Sequence, residues 1–190
     1  MALYEDLVQK VAIHLSPCPE MIILDAIKQT VINFCTQTQG WVFDAPTIAP
    51  EDGVLTYQLD TPANTAIIKI WSLEGRTGQY QEDQNYYIGY PNLLNFHVTP
   101  SAFEIKPVLS LIPTLTSTEF PDYLMNYFYE YLVSGAVAML QLMPFREWSQ
   151  PNAAEYHSSK YQVGIHEALK MRDNGLNKAK TRNRVRAQYI

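Results

Sequence analysis

The spacing of apolar residues changes twice along the chain, and this limits the folds that the chain can adopt. Up to Gln39 the apolar residues recur every three or four positions, which is the spacing of one helix face. From Trp41 to Thr118, short runs of branched and aromatic residues alternate with proline, glycine, asparagine and threonine, which is typical of strands. The helical spacing returns after Pro121. We therefore predict an α+β fold, mainly α, with a small antiparallel β insertion between the second and third of about four helices.

Helices are predicted over residues 3–15, 20–39, 121–143 and 152–173. Gly40 should end the second and Pro144 the third, because glycine favours helix C-termini and proline cannot continue a helix. Gly135 lies inside the third helix, where glycine costs about 1 kcal/mol relative to alanine, so a close neighbour is expected there. The expected buried residues are Leu3, Leu7, Val11 and Leu15 in the first helix, Ile23, Ala26, Ile27, Thr30, Val31 and Phe34 in the second, and Ala154, Tyr161, Ile165, Ala168 and Leu169 in the fourth.

The β insertion spans residues 41–118, and the strand predictions within it follow the branched and aromatic runs. Strands are predicted near Val54–Leu59, Ala66–Leu73, Phe96–Thr99, Phe103–Pro107 and Val108–Ile112, with turns at residues 74–76 and 100–102. Residues 78–90 are polar, and a long loop in a small domain is either functional or disordered. We predict an exposed loop that presents four tyrosines to a partner: Tyr80, Tyr86, Tyr87 and Tyr90.

No local pattern indicates catalysis or metal binding. The chain lacks a glycine-rich phosphate loop, a GxSxG sequence and any cysteine–histidine spacing of a metal site. Cys18 and Cys35 form no CxxC pair and are predicted to be reduced. The four histidines, His14, His97, His157 and His166, have no sequence-near ligand partners and are predicted to be ordinary surface or hydrogen-bonded residues. We predict a protein without enzymatic activity, cofactor or metal; catalysis would require residues distant in sequence to converge.

Charge is distributed unevenly between the body and the end of the chain. Residues 170–190 carry seven bases and one acid, a net charge of +6, whereas residues 1–169 carry seven bases and eighteen acids, a net charge of −11. No apolar signal segment follows the first residues, so secretion is not expected. No apolar run approaches the roughly 18 residues that would cross a bilayer. A folded acidic body with a basic end is typical of a protein that uses an interaction arm.

From Lys178 to Arg186, basic residues occupy every second position of the chain. In a strand such residues share one side, whereas in a helix they scatter around the axis. We therefore divide the chain into a body, residues 1–176, and an extended basic tail, residues 177–190, that becomes ordered on a partner. A merely solubilising tail is the alternative. The body's negative charge favours a protein partner over phosphates. The predicted contact residues are Lys178, Lys180, Arg182, Arg184, Arg186, Tyr189 and Ile190.

Three stretches of the chain resemble the head-to-tail adaptor (connector) proteins of tailed bacteriophages. They are the strand pair formed by residues 56–59 and 66–73 with Glu74-Gly75, the helix over residues 129–140, and residues 142–151 followed by Tyr156 and a helix to Leu169. The likeness covers nearly the whole chain, and the order of the stretches carries it. Relatives tend to have a glycine-containing turn after the Met-Pro pair, whereas this chain has Phe145-Arg146-Glu147.

The resemblance implies a subunit of a ring of twelve copies beneath the portal, at the head–tail junction of a virion made in the host cytoplasm. Such a ring docks on the portal protein, lets viral DNA pass without specific binding, and attaches a downstream tail or nozzle protein. The resemblance also assigns the basic tail to the portal, and the tyrosine-rich segment to neighbouring subunits or the tail protein. The alternatives are a tail-completion or tail-tube joint protein and a nucleic-acid-binding accessory protein that uses the tail.

Overall fold

The computed structural model describes residues 1–15, 17–75, 78–100 and 104–174 of the chain. Within these residues it contains four helices, with antiparallel sheets inserted between the second and third, which confirms the predicted fold class. The helices are α1 (Glu5–Ala12), α2 (Glu20–Thr38), α3 (Asp122–Gln141) and α4 (Pro151–Asn174). The strands are β1 (Ala2–Leu3), β2 (Val42–Asp44), β3 (Thr56–Gln58), β4 (Thr65–Gly75), β5 (Gly78–Gln79), β6 (Tyr86–Gly89), β7 (Leu93–Phe96), β8 (Ile105–Pro113) and β9 (Glu119–Phe120).

The first helix is shorter than predicted because its expected first turn is used as a strand. Ala2 and Leu3 pair with Phe120 and Glu119 as β1 and β9, so α1 begins only at Glu5. Leu3 is consequently exposed, and its predicted place in the core was wrong. The other predicted positions on this helix face, Leu7, Val11 and Leu15, are buried.

The helical core follows the predicted stripe of α2. All six predicted residues of that stripe are buried, and the ring of Phe34 packs 5.4 Å from Phe128 and 6.0 Å from Tyr161 between ring centroids. The helix ends at Thr38, one residue earlier than predicted, since Gln39 takes a left-handed conformation with φ of 49°. Cys35 lies inside this core as a free thiol, and burial raises its pKa to about 12.

Two glycines set the separation of α3 from its neighbours. A Cβ on Gly135 would lie 2.6 Å from the Thr30 methyl group and 2.6 Å from the Tyr161 ring, which confirms the predicted close neighbour. A Cβ on Gly164 of α4 would collide with Cβ and Cγ of Tyr131 on α3. The long α3–α4 pair therefore packs at a distance that only glycine permits at these positions.

The β insertion forms a four-stranded sheet of order β2-β8-β4-β5 and a three-stranded sheet of order β3-β7-β6. Strand β8 is continuous from Ile105 to Pro113, so the predicted strand at Val108–Ile112 is present, but its separation from the one predicted at Phe103–Pro107 was wrong; Phe103 itself lies outside the described residues. Glu74 and Gly75 of the turn expected at residues 74–76 belong instead to β4, and Gly75 pairs with Gly78 of β5; residue 76 lies outside the described residues. Of the other predicted turn, residues 101–102 lie outside the described residues.

The strand predicted at Phe96–Thr99 is displaced toward the N-terminus. Strand β7 spans Leu93–Phe96 and pairs with both β3 and β6, which places Leu94 and Phe96 in the core of the β unit. His97 and Val98, which the prediction placed in a strand, lie beyond its end. Strand β6 itself lies in the segment that was predicted to be a loop, so this hairpin was not expected from the sequence.

Candidate functional site

The predicted contact residues of the basic tail lie outside the described residues, but the end of the helix that precedes them is described. Arg172 of α4 donates a hydrogen bond of 2.9 Å to the carbonyl oxygen of Thr38, the last residue of α2. Its guanidinium also lies 5.2 Å from the ring centroid of Trp71 on β4. A cation at a helix C-terminus is favourable because it satisfies an unpaired carbonyl and complements the helix dipole. The end of α4 is therefore fixed where the helical core meets the β unit.

Of the four predicted contact tyrosines, Tyr86 lies in the core of the β unit and Tyr80 is partly buried against it. Tyr86 is only 3% exposed, and its ring lies 6.4 Å from that of Phe96. The ring of Tyr80 lies 5.5 Å from the same phenylalanine, and that of Tyr57 lies 5.9 Å from it. Burial, together with Glu82 and Asp83, raises the pKa of Tyr86 to about 12. The prediction of an exposed loop was wrong here, because the rings fill a small sheet that has few aliphatic residues of its own.

The other two tyrosines are exposed. Tyr90 is 94% exposed at the edge of a cavity of about 310 Å³ between β4 and the end of β6. Tyr87 is 48% exposed, and its ring lies 5.6 Å from that of His97. An exposed tyrosine presents a large apolar ring with a polar tip, which suits contact with another protein. The prediction of a contact surface is therefore narrowed to these two residues.

Phe145 is a third exposed aromatic residue, in the linker between α3 and α4. Its side chain is fully exposed, and its backbone has φ of 58°, in the left-handed region that glycine tolerates best. An exposed aromatic side chain in a strained backbone gains nothing from its own fold, which is typical of a residue that contacts a partner.

We expect Phe145→Gly to raise the free energy of unfolding by about 0.5–1 kcal/mol, because glycine relieves the left-handed strain and no buried area is lost. Chemical denaturation measures this change. Phe145→Ala is the matched control: it removes the same ring but keeps a Cβ, so the stability should stay close to that of the wild type. Equal gains in both variants would show that the ring, and not the backbone, causes the strain.

A cavity of about 350 Å³ lies between α1, α3 and α4, and basic and aromatic side chains line it. The His14 and His157 rings meet there edge to face, with their centroids 5.3 Å apart. The residues that line the cavity, which we call the cationic pocket, are Lys10, Ile13, His14, Tyr129, Glu130, Val133, Ser134, Tyr156, His157 and Lys160. The two histidines are far apart in the sequence, so only the packing of α4 beside α1 could reveal the pair.

Electrostatics within the cationic pocket disfavour the protonated form of His157. Burial lowers the pKa of His157, and the nearby His14 and Lys160 lower it further. The Nδ1 atom of His157 is buried and has no hydrogen-bond partner among the described residues. Lys160 forms an ion pair of 3.1 Å with Glu130, and this hydrogen bond lowers the pKa of the Glu130 carboxyl group. The pocket can therefore accept an anion more readily than a cation.

The described residues show no sign of a metal centre. Within residues 1–15, 17–75, 78–100 and 104–174, no three histidine, cysteine or acidic side chains come together as metal ligands. In the same ranges, the helices lack the combination of length and apolar character that crossing a membrane requires. No protein-family model matches the sequence, and comparison with curated proteins gives no significant match.

Proposed function

We propose that the chain is a structural virion protein, a head-to-tail adaptor of a tailed bacteriophage that docks as a ring on the portal. In this role it extends the DNA channel and provides the attachment site for tail components. The observation that carries the proposal is the order of elements: α1 and α2, the antiparallel β unit, the long α3–α4 pair, and then the basic segment. The adaptor resemblance implies a helical body with a β element, and this order agrees with it.

The distribution of exposed apolar side chains supports an assembly role. The exposed large apolar residues include Tyr156 and Ile13 at the cationic pocket, Tyr90 on the β unit, and Phe145 in the α3–α4 linker. Exposed apolar groups of this size commonly mark interaction sites. A subunit in a closed ring needs two surfaces for its neighbours and further surfaces for the components above and below it.

The charge distribution fits the same role. A net charge of −11 over residues 1–169 repels DNA phosphates, so DNA would slide through a ring of such bodies without adhering. Residues 170–190 are positively charged and can therefore bind an acidic protein surface. Arg172 contacts Thr38 and Trp71, and these contacts fix the position on the body from which the basic segment begins.

Electron microscopy of the chain mixed with the portal protein of the same virus tests the proposal. We expect a ring stacked on one end of the portal at about physiological ionic strength, where contacts between exposed charges are only partly screened. Portal particles that stay undecorated at saturating chain would contradict the adaptor role. If the chain instead binds duplex DNA with a steep salt dependence, the nucleic-acid-binding alternative replaces it.

A further inference from the structure

We propose that the cationic pocket between α1, α3 and α4 binds a carboxylate-bearing peptide segment of a partner protein. The inference goes beyond the adaptor role and does not depend on it. It rests on the charges that converge in the cavity, on the apolar side chains at its edge, and on the cavity's size.

The pocket reverses the charge of the body around it. Residues 1–169 carry a net charge of −11, yet the pocket is lined by two lysines, two histidines and a single acid. That acid, Glu130, is already paired with Lys160 at 3.1 Å. Lys10 lies 4.3 Å from the ring centroid of Tyr129 and forms no ion pair within the described part of the chain. Cation–π contact leaves ammonium donors available, so Lys10 can still bind a carboxylate.

The histidine pair makes the pocket responsive to an incoming negative charge. The titratable groups that line the pocket with His157 are Lys10 on α1, His14 just beyond the end of α1, Tyr129 and Glu130 on α3, and Tyr156 and Lys160 on α4. The balance of burial and positive neighbours favours its neutral form. A bound carboxylate would oppose both effects and raise the pKa of His157. Binding and protonation are linked, so affinity for the carboxylate should increase as the pH falls.

The edge of the pocket favours a peptide over a small inorganic anion. Ile13 is 82% exposed, Tyr156 66% and Tyr129 36%, and all three line the cavity. A free phosphate or acetate ion would leave these apolar groups in water, whereas an aliphatic side chain beside an acidic one would cover them. A volume of about 350 Å³ accommodates a few side chains and is too small for a folded element. An acidic residue next to an aliphatic one is therefore the expected occupant.

The test uses the full chain and a short fluorescein-labelled peptide of alternating glutamate and leucine, with binding followed by fluorescence anisotropy. We expect Lys10→Gln combined with Lys160→Gln to weaken binding about tenfold, because hydrogen bonds to a charged group are lost. Lys106→Gln is the matched control, since Lys106 is an exposed lysine on β8 outside the pocket. It should change affinity less than about twofold, as expected for a distant exposed charge. Unchanged chemical denaturation of the double variant verifies its fold.

A pH series supplies the second readout. The wild-type chain should bind the peptide more tightly at about pH 6 than at about pH 8, while His157→Gln should reduce this difference, because the imidazole whose protonation is linked to binding is then absent. Equal binding of a glutamine–leucine peptide would overturn the proposal, as would an equal loss of affinity in Lys106→Gln. Complete displacement of the peptide by inorganic phosphate at the same concentration as the peptide would also overturn the proposal. If the wild-type chain and Lys106→Gln self-associate but the double variant does not, the pocket binds a second copy of the chain instead of a partner peptide.

Discussion

Replacing Gly164 by alanine is expected to lower the free energy of unfolding by about 2 kcal/mol. In an open helix the same change would stabilise the protein by about 1 kcal/mol, because glycine is the poorer helix former. The new Cβ would collide with Cβ and Cγ of Tyr131 on α3. Overpacking of this kind costs about 1–3 kcal/mol, and the upper end applies here because the Tyr131 Cβ is fixed to its backbone and cannot rotate away. The steric cost therefore exceeds the gain in helix propensity.

Separation of α3 from α4 would also weaken the polar contacts across the same interface. Tyr131 donates a hydrogen bond of 2.8 Å to Glu167, and Lys160 pairs with Glu130 at 3.1 Å. Gly135→Ala should cost less, because the groups that it meets are a methyl group of Thr30 and the ring of Tyr161, which are outer parts of side chains. The two variants thus form a graded pair in which the rigidity of the neighbour determines the size of the loss.

Chemical denaturation measures both changes, and Ser159→Ala provides the matched control on the exposed face of α4. It should leave stability unchanged or raise it by up to about 0.5 kcal/mol, since alanine is the better helix former. If Gly164→Ala proved as stable as the wild type, α3 and α4 would not pack as closely as described. A loss of the same size in Ser159→Ala would show that α4 is sensitive to substitution in general.

The helices were predictable because burial of one face imposes a period that the sequence records directly. Ile23, Val31 and Phe34 repeat at helical spacing, and each is buried. The short strands β1, β2 and β9 could not be predicted in this way, because two or three residues are too few to display a period. Their existence depends on partners elsewhere, such as Ala2 opposite Phe120.

The tyrosine-rich segment shows how local polarity misleads. Residues 81–85 are all polar, so the sequence indicated an exposed loop. Tyr86 nevertheless packs against Phe96, because β6 and β7 form a hairpin whose inner face needs aromatic volume. The sequence alone does not show that this tyrosine is buried, because the polar phenol group also suits tyrosine to surfaces.

The two most informative surface features depended on tertiary structure. His14 and His157 meet only because α4 packs beside α1, and no spacing rule joins residues so far apart. The left-handed backbone conformation of Phe145 is disfavoured for phenylalanine, so residue preferences alone would not predict it. Such local conflicts with sequence preference occur most often where function imposes a cost on the fold.

Deletion of residues 177–190 is expected to weaken docking on the portal ring by about 50- to 100-fold. The deletion removes five alternating bases, and if each contributes about 0.5 kcal/mol through contact with an acidic surface, the sum of about 2.5 kcal/mol corresponds to a change of roughly 60- to 70-fold in Kd. The described cores end before this segment, and Arg172, which fixes the end of α4, is retained. The stability of the truncated chain should therefore equal that of the full chain.

A shuffled tail separates the spacing of the charges from their number. Exchanging Ala179 with Lys180 and Asn183 with Arg184 keeps the composition but places bases on both sides of an extended segment. If the tail binds as a strand with one basic side, the shuffled chain should dock more weakly than the wild type and more tightly than the truncated chain. Full affinity in the shuffled chain would show that net charge alone attracts the portal. Unchanged docking of the truncated chain would exclude the tail from the contact, and the exposed side chains of Tyr90 and Phe145 would then be the surfaces to test.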